Sequence, residues 1–134
     1  MNAGAGNVAL TGAVGAAKTL GAVSLNSTAT ATLGGAVTAA SLTTSAGGVL
    51  QINGGAINTS GTQTVAGNVA LGSNATLTAS GIAVAGTINL GANRLTLNSN
   101  ADIDFDGVIS GTGGAITKQG TGLLTLSGAN TYTG

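Results

Sequence analysis

A repeat of about twenty residues constrains the fold of this chain more than any other feature. The hexapeptide Ala5–Leu10 recurs unchanged at Ala66–Leu71, close to three periods further along the chain. The first unit begins at either Gly12 or Val8. The later units follow at a nearly constant spacing and begin at Ala31, Leu50, Val69, Ile88 and Val108. Repeats of this length are typical of solenoids, in which each unit buries its apolar face against its neighbours.

Apolar residues within each unit alternate with a period of two, as in Leu50/Ile52 and Ile88/Leu90. This spacing predicts strands with one face turned inward, because successive side chains of a strand point to opposite faces. Gly and Asn interrupt the pattern often enough to leave little room for helices. We therefore predict an all-β fold with three short strands per unit. We predict that the whole chain, 1–134, forms a parallel β-helix solenoid of about six to seven coils with a period of about 19–21 residues.

Stacked coils place equivalent residues one strand spacing apart, about 4.8 Å, so each inward position becomes a column along the rod. The register predicts three inward columns, one for each face of a triangular coil. They contain, in order, Leu33, Ile52, Leu71 and Leu90; Leu77, Leu97 and Ile116; and Val65, Val84, Phe105 and Leu126. Such a narrow core has little room for aromatic rings, which agrees with one Phe, one Tyr and no Trp in the chain.

Composition excludes several classes of function. Without Cys or His there is no thiolate nucleophile, imidazole base, disulfide or zinc site of the usual ligands. Three basic residues and a net charge of zero argue against nucleic-acid binding, which needs several phosphate contacts. The longest apolar runs, such as Gly12–Ala17, are too short to span a membrane. We expect no enzyme activity, no cofactor, no nucleic-acid partner and no membrane insertion of this segment.

The C-terminal residues 107–134 carry a more specific pattern. Its elements are Ile109-Ser110-Gly111, Gly113-Gly114, Lys118, Gly120, Gly122, Leu124-Thr125-Leu126-Ser127-Gly128, Asn130, Tyr132 and Gly134. This pattern resembles the autotransporter-associated β-strand repeat of bacterial autotransporter passengers. The preceding hundred residues are similar in composition to the repeats of filamentous-haemagglutinin-like adhesins. The resemblance implies a right-handed parallel β-helix, secretion to the outer surface of a Gram-negative bacterium, and no catalytic residues.

Together these observations predict a non-enzymatic structural segment, a stalk or passenger, of a secreted bacterial surface adhesin or fibre. The expected location is extracellular, on the bacterial outer surface. The expected partners are neighbouring coils of a longer parent chain, or other copies associated end to end or laterally. The alternative is a direct adhesive surface that binds host or matrix glycans or self-associates through weak polar faces.

Three acidic residues are the one candidate metal site, and they are Asp102, Asp104 and Asp106. Carboxylates at positions 1, 3 and 5 followed by Gly107 match the first half of a calcium loop, which ends in a bidentate Glu at position 12. Position 12 here is Gly113, so the match is a weak calcium candidate. The intervening Ile103 and Phe105 instead favour a strand that carries the three carboxylates on its outer face.

Two further functions are less favoured alternatives. The three carboxylates, with Arg94 within about one coil, have the charges of a polysaccharide hydrolase or lyase, but no aromatic sugar platform accompanies them. Thr-x-Thr steps would suit an ice-binding face if they stacked at one repeat position, and they are Thr28–Thr32, Thr62–Thr64 and Thr76–Thr78. They do not recur at one position, which favours ordinary outward strand residues. We expect Lys118 to be exposed and Tyr132 to pack at a coil corner.

Overall fold

The computed structural model describes all residues, Met1–Gly134, and contains seventeen β-strands and no helix. Every strand pairing is parallel. The strands are β1 (Asn2–Gly4), β2 (Val8–Leu10), β3 (Leu20–Ser27), β4 (Thr30–Leu33), β5 (Val37–Thr44), β6 (Val49–Ile52), β7 (Ala56–Thr59), β8 (Thr62–Val65), β9 (Asn68–Leu71), β10 (Ala75–Thr78), β11 (Gly81–Val84), β12 (Ile88–Asn89), β13 (Arg94–Asn98), β14 (Ile103–Phe105), β15 (Ile109–Ser110), β16 (Ala115–Gln119) and β17 (Leu124–Leu126). The predicted all-β parallel solenoid is confirmed.

The strands form three faces around a narrow core. Face 1 is the six-stranded sheet β2-β4-β6-β9-β12-β15. Face 2 consists of β7, β10, β13 and β16, preceded by the first halves of β3 and β5. Face 3 consists of β1, the second halves of β3 and β5, then β8 and β11, and beside β11 the pair β14–β17. The chain passes through faces 1, 2 and 3 in turn, and one such passage is a coil.

The first two coils have two strands where the sequence predicted three, because β3 and β5 cross the corner between faces 2 and 3 without a break. The Val37–Ala39 part of β5 pairs with β7, whereas its Leu42–Thr44 part pairs with β8. From the third coil onwards the corner separates the two faces, and Ser60-Gly61 divides β7 from β8.

Six coils follow one another with about twenty residues in each. The equivalent face 1 residues, each paired with the next, are Val8, Ala31, Leu50, Val69, Ile88 and Ile109. The first unit thus begins at Val8 and not at Gly12. The predicted start at Val108 is wrong by one residue, since Val108 is 38% exposed and Ile109 is 0% exposed. Two adjacent β-branched residues fit the apolar pattern equally well, so spacing alone selected the wrong one.

The first and third predicted columns agree with the strand register. In the first, Leu33 pairs with Ile52 and Ile52 with Leu71. Leu90 continues that column, because the preceding pairs Ile88–Val69 and Asn89–Ala70 fix its place. In the third, the paired residues are Val65 with Val84 and Phe105 with Leu126.

The second predicted column is only partly right. Leu77 pairs with Leu97 as predicted, but Ile116 pairs with Leu95, and Lys118 takes the place beside Leu97. The last two coils are longer than the middle coils on which the period was based. Counting forward from Leu97 with the shorter period therefore gives Ile116. The residue that actually stands beside Leu97 is Lys118, the next inward position of the strand.

One apolar core runs along the rod and contains 25 buried residues. Gln63 is the largest polar side chain within it and is 2% exposed. Its Nε2 donates to the carbonyl oxygen of Ile57 at 2.9 Å and to that of Thr78 at 3.0 Å. No buried side-chain nitrogen or oxygen lacks a hydrogen-bond partner, so this polar group lies in the core without an unsatisfied donor.

Glycines stack where face 3 turns into face 1, at Gly48, Gly67, Gly86, Gly107 and Gly128. A Cβ on Gly67 would overlap the carbonyl oxygen of Gly48, and a Cβ on Gly107 would overlap that of Gly86. None of the five has a positive φ. Glycine is required here because successive coils approach closely, and not because of backbone conformation.

The two end coils bury their inward side chains less completely than the coils between them. In the last coil Ile116, Leu124 and Leu126 are half-buried. In the first coil Leu10 is half-buried and Leu20 is 43% exposed. The core columns therefore reach both ends of the rod with their outermost members only partly covered.

After β17 the chain follows face 1 for a seventh time. The Thr131 amide donates to the carbonyl of Ile109 at 2.9 Å, and the Thr133 amide donates to that of Gly111 at 3.2 Å. Tyr132, between them, is half-buried and packs against the core. The expectation that Tyr132 is a packing residue is confirmed, although it packs along face 1 and not at a coil corner.

Candidate functional site

The three acidic residues lie around β14 on face 3, as the alternation predicted. Ile103 and Phe105 are each 1% exposed, and the three carboxylates are exposed. Asp102 Oδ1 accepts a hydrogen bond from the Leu123 amide at 2.7 Å. Asp106 Oδ1 accepts one from the Ser127 hydroxyl at 2.6 Å. Two of the three carboxylates thus join the fifth coil to the sixth.

The segment from Asp102 to Gly113 does not form a calcium loop. It runs from β14 on face 3, through the glycine corner, along β15 on face 1, to the turn before β16. Position 12 of the supposed loop is therefore on a different side of the rod from positions 1, 3 and 5. No group of three or more Asp, Glu, His or Cys side chains is placed so that it could hold a metal ion.

Arg94 does not share a face with the acidic residues. It begins β13 on face 2, and its side chain is exposed. Its backbone amide donates to Asn74 Oδ1 at 2.8 Å. A shallow surface depression beside it is lined by Asn74, Ala92, Gly113 and Ala115, and no carboxylate contributes to that lining. Arg94 and the carboxylates therefore do not come together as the carboxylate-and-base form of the hydrolase or lyase alternative requires.

The predicted Thr-x-Thr steps lie on three different faces. Thr30 and Thr32 belong to face 1, Thr62–Thr64 to face 3 and Thr76–Thr78 to face 2. They therefore do not stack into one array, in agreement with the sequence argument that favoured ordinary outward strand residues.

The register instead builds a polar array on face 2 that the sequence argument missed. One outward column consists of Thr76, Thr96 and Thr117, and its neighbour consists of Thr38, Asn58, Thr78, Asn98 and Gln119. None of these eight side chains donates or accepts a hydrogen bond within the protein. The recurrence of Thr and Asn once per coil was the available signal.

Corner asparagines contrast with that array, because their side chains join one coil to the next. Asn7 Oδ1 accepts from the Thr30 amide at 3.1 Å, and Asn68 Oδ1 accepts from the Thr87 amide at 2.9 Å. Asn74, Asn100 and Asn130 do the same for the amides of Arg94, Thr121 and Ile109. Asp102 thus occupies a role that asparagine fills elsewhere.

Lys118 is not the exposed residue that the sequence suggested. It pairs with the fully buried Leu97 and is itself half-buried. Its Nζ donates to the carbonyl oxygens of Ser99 and Gln119, each at 2.7 Å. The aliphatic stem covers the end of an apolar column while the ammonium group reaches polar atoms at the corner. Ile116 and Lys118 are two residues apart in β16, so their side chains point to the same side of the strand. This spacing was the signal in the sequence for the inward position of Lys118.

Comparison with known proteins identifies no relative: no family model, no curated protein and no solved structure matches the chain. The structure also contains no helix of the length and hydrophobicity needed to cross a membrane.

Proposed function

We propose that this chain is a non-enzymatic structural segment that extends a bacterial surface adhesin or fibre. The observation that carries the proposal is the unbroken parallel register of face 1 through six coils, from Val8 to Ile109. Each coil of about twenty residues adds one strand spacing, about 4.8 Å, to the rod. A stack of similar coils is suited to hold two neighbouring parts of a protein apart.

Secretion to the outer surface of a Gram-negative bacterium is part of the same proposal. It rests on the resemblance of residues 107–134 to the autotransporter-associated β-strand repeat. The positions that carry the resemblance have structural roles that support it: Gly128 extends the glycine corner, Tyr132 packs on the core, and Lys118 covers the end of a column.

A direct adhesive surface is the second candidate, and the polar array of face 2 favours it. Thr76, Thr96 and Thr117 present hydroxyl groups one strand spacing apart. The neighbouring side-chain amides of Asn58 and Asn98 are in register with them on the same face and make no hydrogen bond within the protein. Free donors and acceptors at a regular spacing are compatible with a neutral glycan, whose hydroxyl groups need both.

Surface display distinguishes these two functions. The chain is placed between an N-terminal epitope tag and a membrane-embedded translocator barrel, and is produced in a Gram-negative host. The extender function predicts that antibody reaches the tag on intact cells and that adhesion to glycan-coated surfaces does not change. Glycan adhesion that disappears in Thr96→Ala/Asn98→Ala would favour the adhesive surface. Retention of the chain inside the cell, or depolymerisation of polysaccharide by the purified chain, would contradict the proposal.

A further inference from the structure

We infer that copies of this chain associate side by side, with face 2 of one copy against face 3 of the next and both rods pointing in the same direction. The inference deepens the proposed extender function by naming the partner as a second copy. It rests on that function for the direction of the rods, because chains that extend from one cell surface all point the same way. The contact involves the flat sides of the rod and not its ends.

The charged side chains are segregated by face. The basic residues belong to face 2, where Arg94 begins β13 and Lys118 lies in β16. Lys18 lies between two residues that pair with the face 2 half of β5. The acidic residues all lie around β14 on face 3, and they are Asp102, Asp104 and Asp106. One side of the rod is therefore basic and another is acidic, while face 1 carries no charged residue.

These opposite charges do not satisfy each other within one rod. The side chains of Lys118, Asp102 and Asp106 hydrogen-bond to neutral groups. The exposed side chains of Arg94 and Asp104 make no hydrogen bond within the protein, and only the backbone amide of Arg94 donates to a side chain. Each bonded carboxylate uses one oxygen and leaves the other free. Face 2 thus offers a free guanidinium group, and face 3 offers free carboxylate oxygens.

The outward rows of the fifth coil are complementary when two such rods lie side by side. Both rods coil in the same sense, so their strands run in opposite directions where face 2 meets face 3. Arg94, at the start of its row, then lies opposite Asp106, at the end of the acidic row. The next outward residues of β13, Thr96 and Asn98, lie opposite the other two carboxylates. Each pair joins a hydrogen-bond donor to a carboxylate, and hydrogen bonds to charged groups are the stronger kind.

The fourth coil fits the same packing. Thr76 is the column neighbour of Thr96, and Ala83 is an outward residue of β11 as Asp104 is of β14. Thr76 and Ala83 therefore lie opposite each other, and the small Ala83 side chain leaves room for the larger one. Packed sheets lie about 10 Å apart, so outward side chains of two such faces reach one another.

Other contacts between the faces gather like charges. Face 3 against face 3 would bring the carboxylates of both copies together, and face 2 against face 2 would bring together two Arg94 side chains; like charges repel. The contact between face 2 and face 3 joins different surfaces, so it is heterologous. Each pair of copies retains one free face of each kind, to which further copies can add.

Disulfide cross-linking between single-cysteine variants tests the inference, since the chain has no Cys of its own and a disulfide requires close approach. Thr76→Cys places a thiol on face 2, and Ala83→Cys places one on face 3 of the same coil. The two purified variants, one carrying an epitope tag, are mixed and oxidised. Ala70→Cys, outward on face 1 of that coil, is the matched control partner. Thr125→Cys, on face 3 of the sixth coil, is the partner expected for rods that point in opposite directions.

The expected result is that Thr76→Cys cross-links to Ala83→Cys in higher yield than to either other partner. The yield should fall as NaCl rises above 0.1 M, where the Debye length is about 10 Å. Arg94→Asp in both chains should lower the yield several-fold, and adding Asp106→Arg should restore it. Lys18→Asp is the control for the charge change, since no acidic residue lies on face 3 of the first coil, and it should leave the yield unchanged. Circular dichroism melting checks that each variant is folded, and Arg94→Gln replaces an unfolded Arg94→Asp.

Three results would overturn the inference. The first is a mixed product no more abundant than the Ala70→Cys control or the symmetric dimers. The second is preferred cross-linking to Thr125→Cys, which indicates rods that point in opposite directions. The third is an Arg94→Asp variant that cross-links as well as Lys18→Asp, or one that Asp106→Arg does not rescue. None of these results depends on surface display, so a chain that displays its tag but does not cross-link would be an extender without this partner.

Discussion

The middle coils and the last two coils stack on their neighbours in the same way, but they differ in which residues they place along the rod. The middle coils, residues 30–85, contain no charged residue, and their face 1 strands pair Ala31 with Leu50 and Leu50 with Val69. The last two coils, residues 88–126, contain five of the six charged side chains. They are also longer, since more residues separate the face 1 partners Ile88 and Ile109 than separate the partners in the middle coils. No like charges are stacked in them, since Asp104 pairs with Thr125, Arg94 with Ala115 and Lys118 with Leu97.

This difference shows how a narrow solenoid accommodates charge. A charge repeated at one position would form a column of like charges one strand spacing apart, and such a column repels itself. Charges in the last coils lie at exposed strand positions, at a corner where a carboxylate bonds an amide, or at the end of a column. The uncharged middle coils depend instead on apolar packing and on glycine corners.

Removal of core volume tests the comparison with the largest expected effect. Ile52 is 1% exposed in the middle of the rod, whereas Leu126 in the last coil is half-buried. Ile52→Ala is expected to lower the free energy of unfolding by about 2–5 kcal/mol. Leu126→Ala should lower it by about 1 kcal/mol, since less apolar area is lost. Chemical denaturation of both variants measures the two losses, and equal losses would contradict the contrast between the regions.

The glycine corner should respond alike in both regions, because close approach of coils is common to them. Gly67→Ala and Gly107→Ala each introduce a Cβ that overlaps a carbonyl oxygen of the coil before. We expect each to destabilise the fold by about 1–3 kcal/mol. Gly21→Ala in β3 is the matched control, since a Cβ there meets no atom within 4 Å. Thermal melts compare the three, and a Gly107→Ala variant as stable as this control would be inconsistent with a shared corner.

Asp102 should act as a coil-joining acceptor in the last coils, as asparagine does elsewhere. Asp102→Ala removes the acceptor of the Leu123 amide and should cost about 1 kcal/mol in the free energy of unfolding. Asp102→Asn keeps an oxygen in the same place and should cost less than half as much. Urea denaturation of the pair decides the point, because equal destabilisation would mean that the charge, and not the acceptor, is what matters.

Calcium should have the smallest effect of all. The three carboxylates flank one strand, and two of them already accept hydrogen bonds from the next coil. A ligand that binds only the folded state raises the melting temperature, so we expect no rise at millimolar CaCl2 beyond that given by MgCl2. A selective rise that disappears in Asp104→Asn would revive the calcium site.

The sequence determined most of the fold because the period and the alternation are independent signals that agree. The columns containing Leu33 and Val65 follow directly from them. Val108 and Ile116 were misplaced because the last coils are longer, and a fixed spacing cannot show where extra residues enter. The length of β5 also escaped prediction, since nothing in an alternating pattern marks a corner that the strand crosses unbroken.

The candidate site was less predictable, because residue type suggested roles that position overruled. A lysine is usually exposed, yet Lys118 occupies an inward position at the end of a column. Glutamine is also usually exposed, yet Gln63 shares the parity of the inward Val65 and is buried. The polar array of face 2 required the register of several coils, which single Thr-x-Thr steps do not supply.

The central claim, that coils stack in register every twenty or so residues, is tested most directly by pairs of spin labels on face 2. Asn58, Thr78 and Asn98 occupy one outward column, and the chain has no natural Cys to interfere with labelling. Cysteines at 58 and 78 should hold labels whose backbone sites are about 4.8 Å apart, and those at 58 and 98 about 9.6 Å apart. The account predicts strong dipolar broadening of the EPR spectrum for the first pair and clearly weaker broadening for the second. Absent broadening for the first pair, or equal broadening for both, would contradict it.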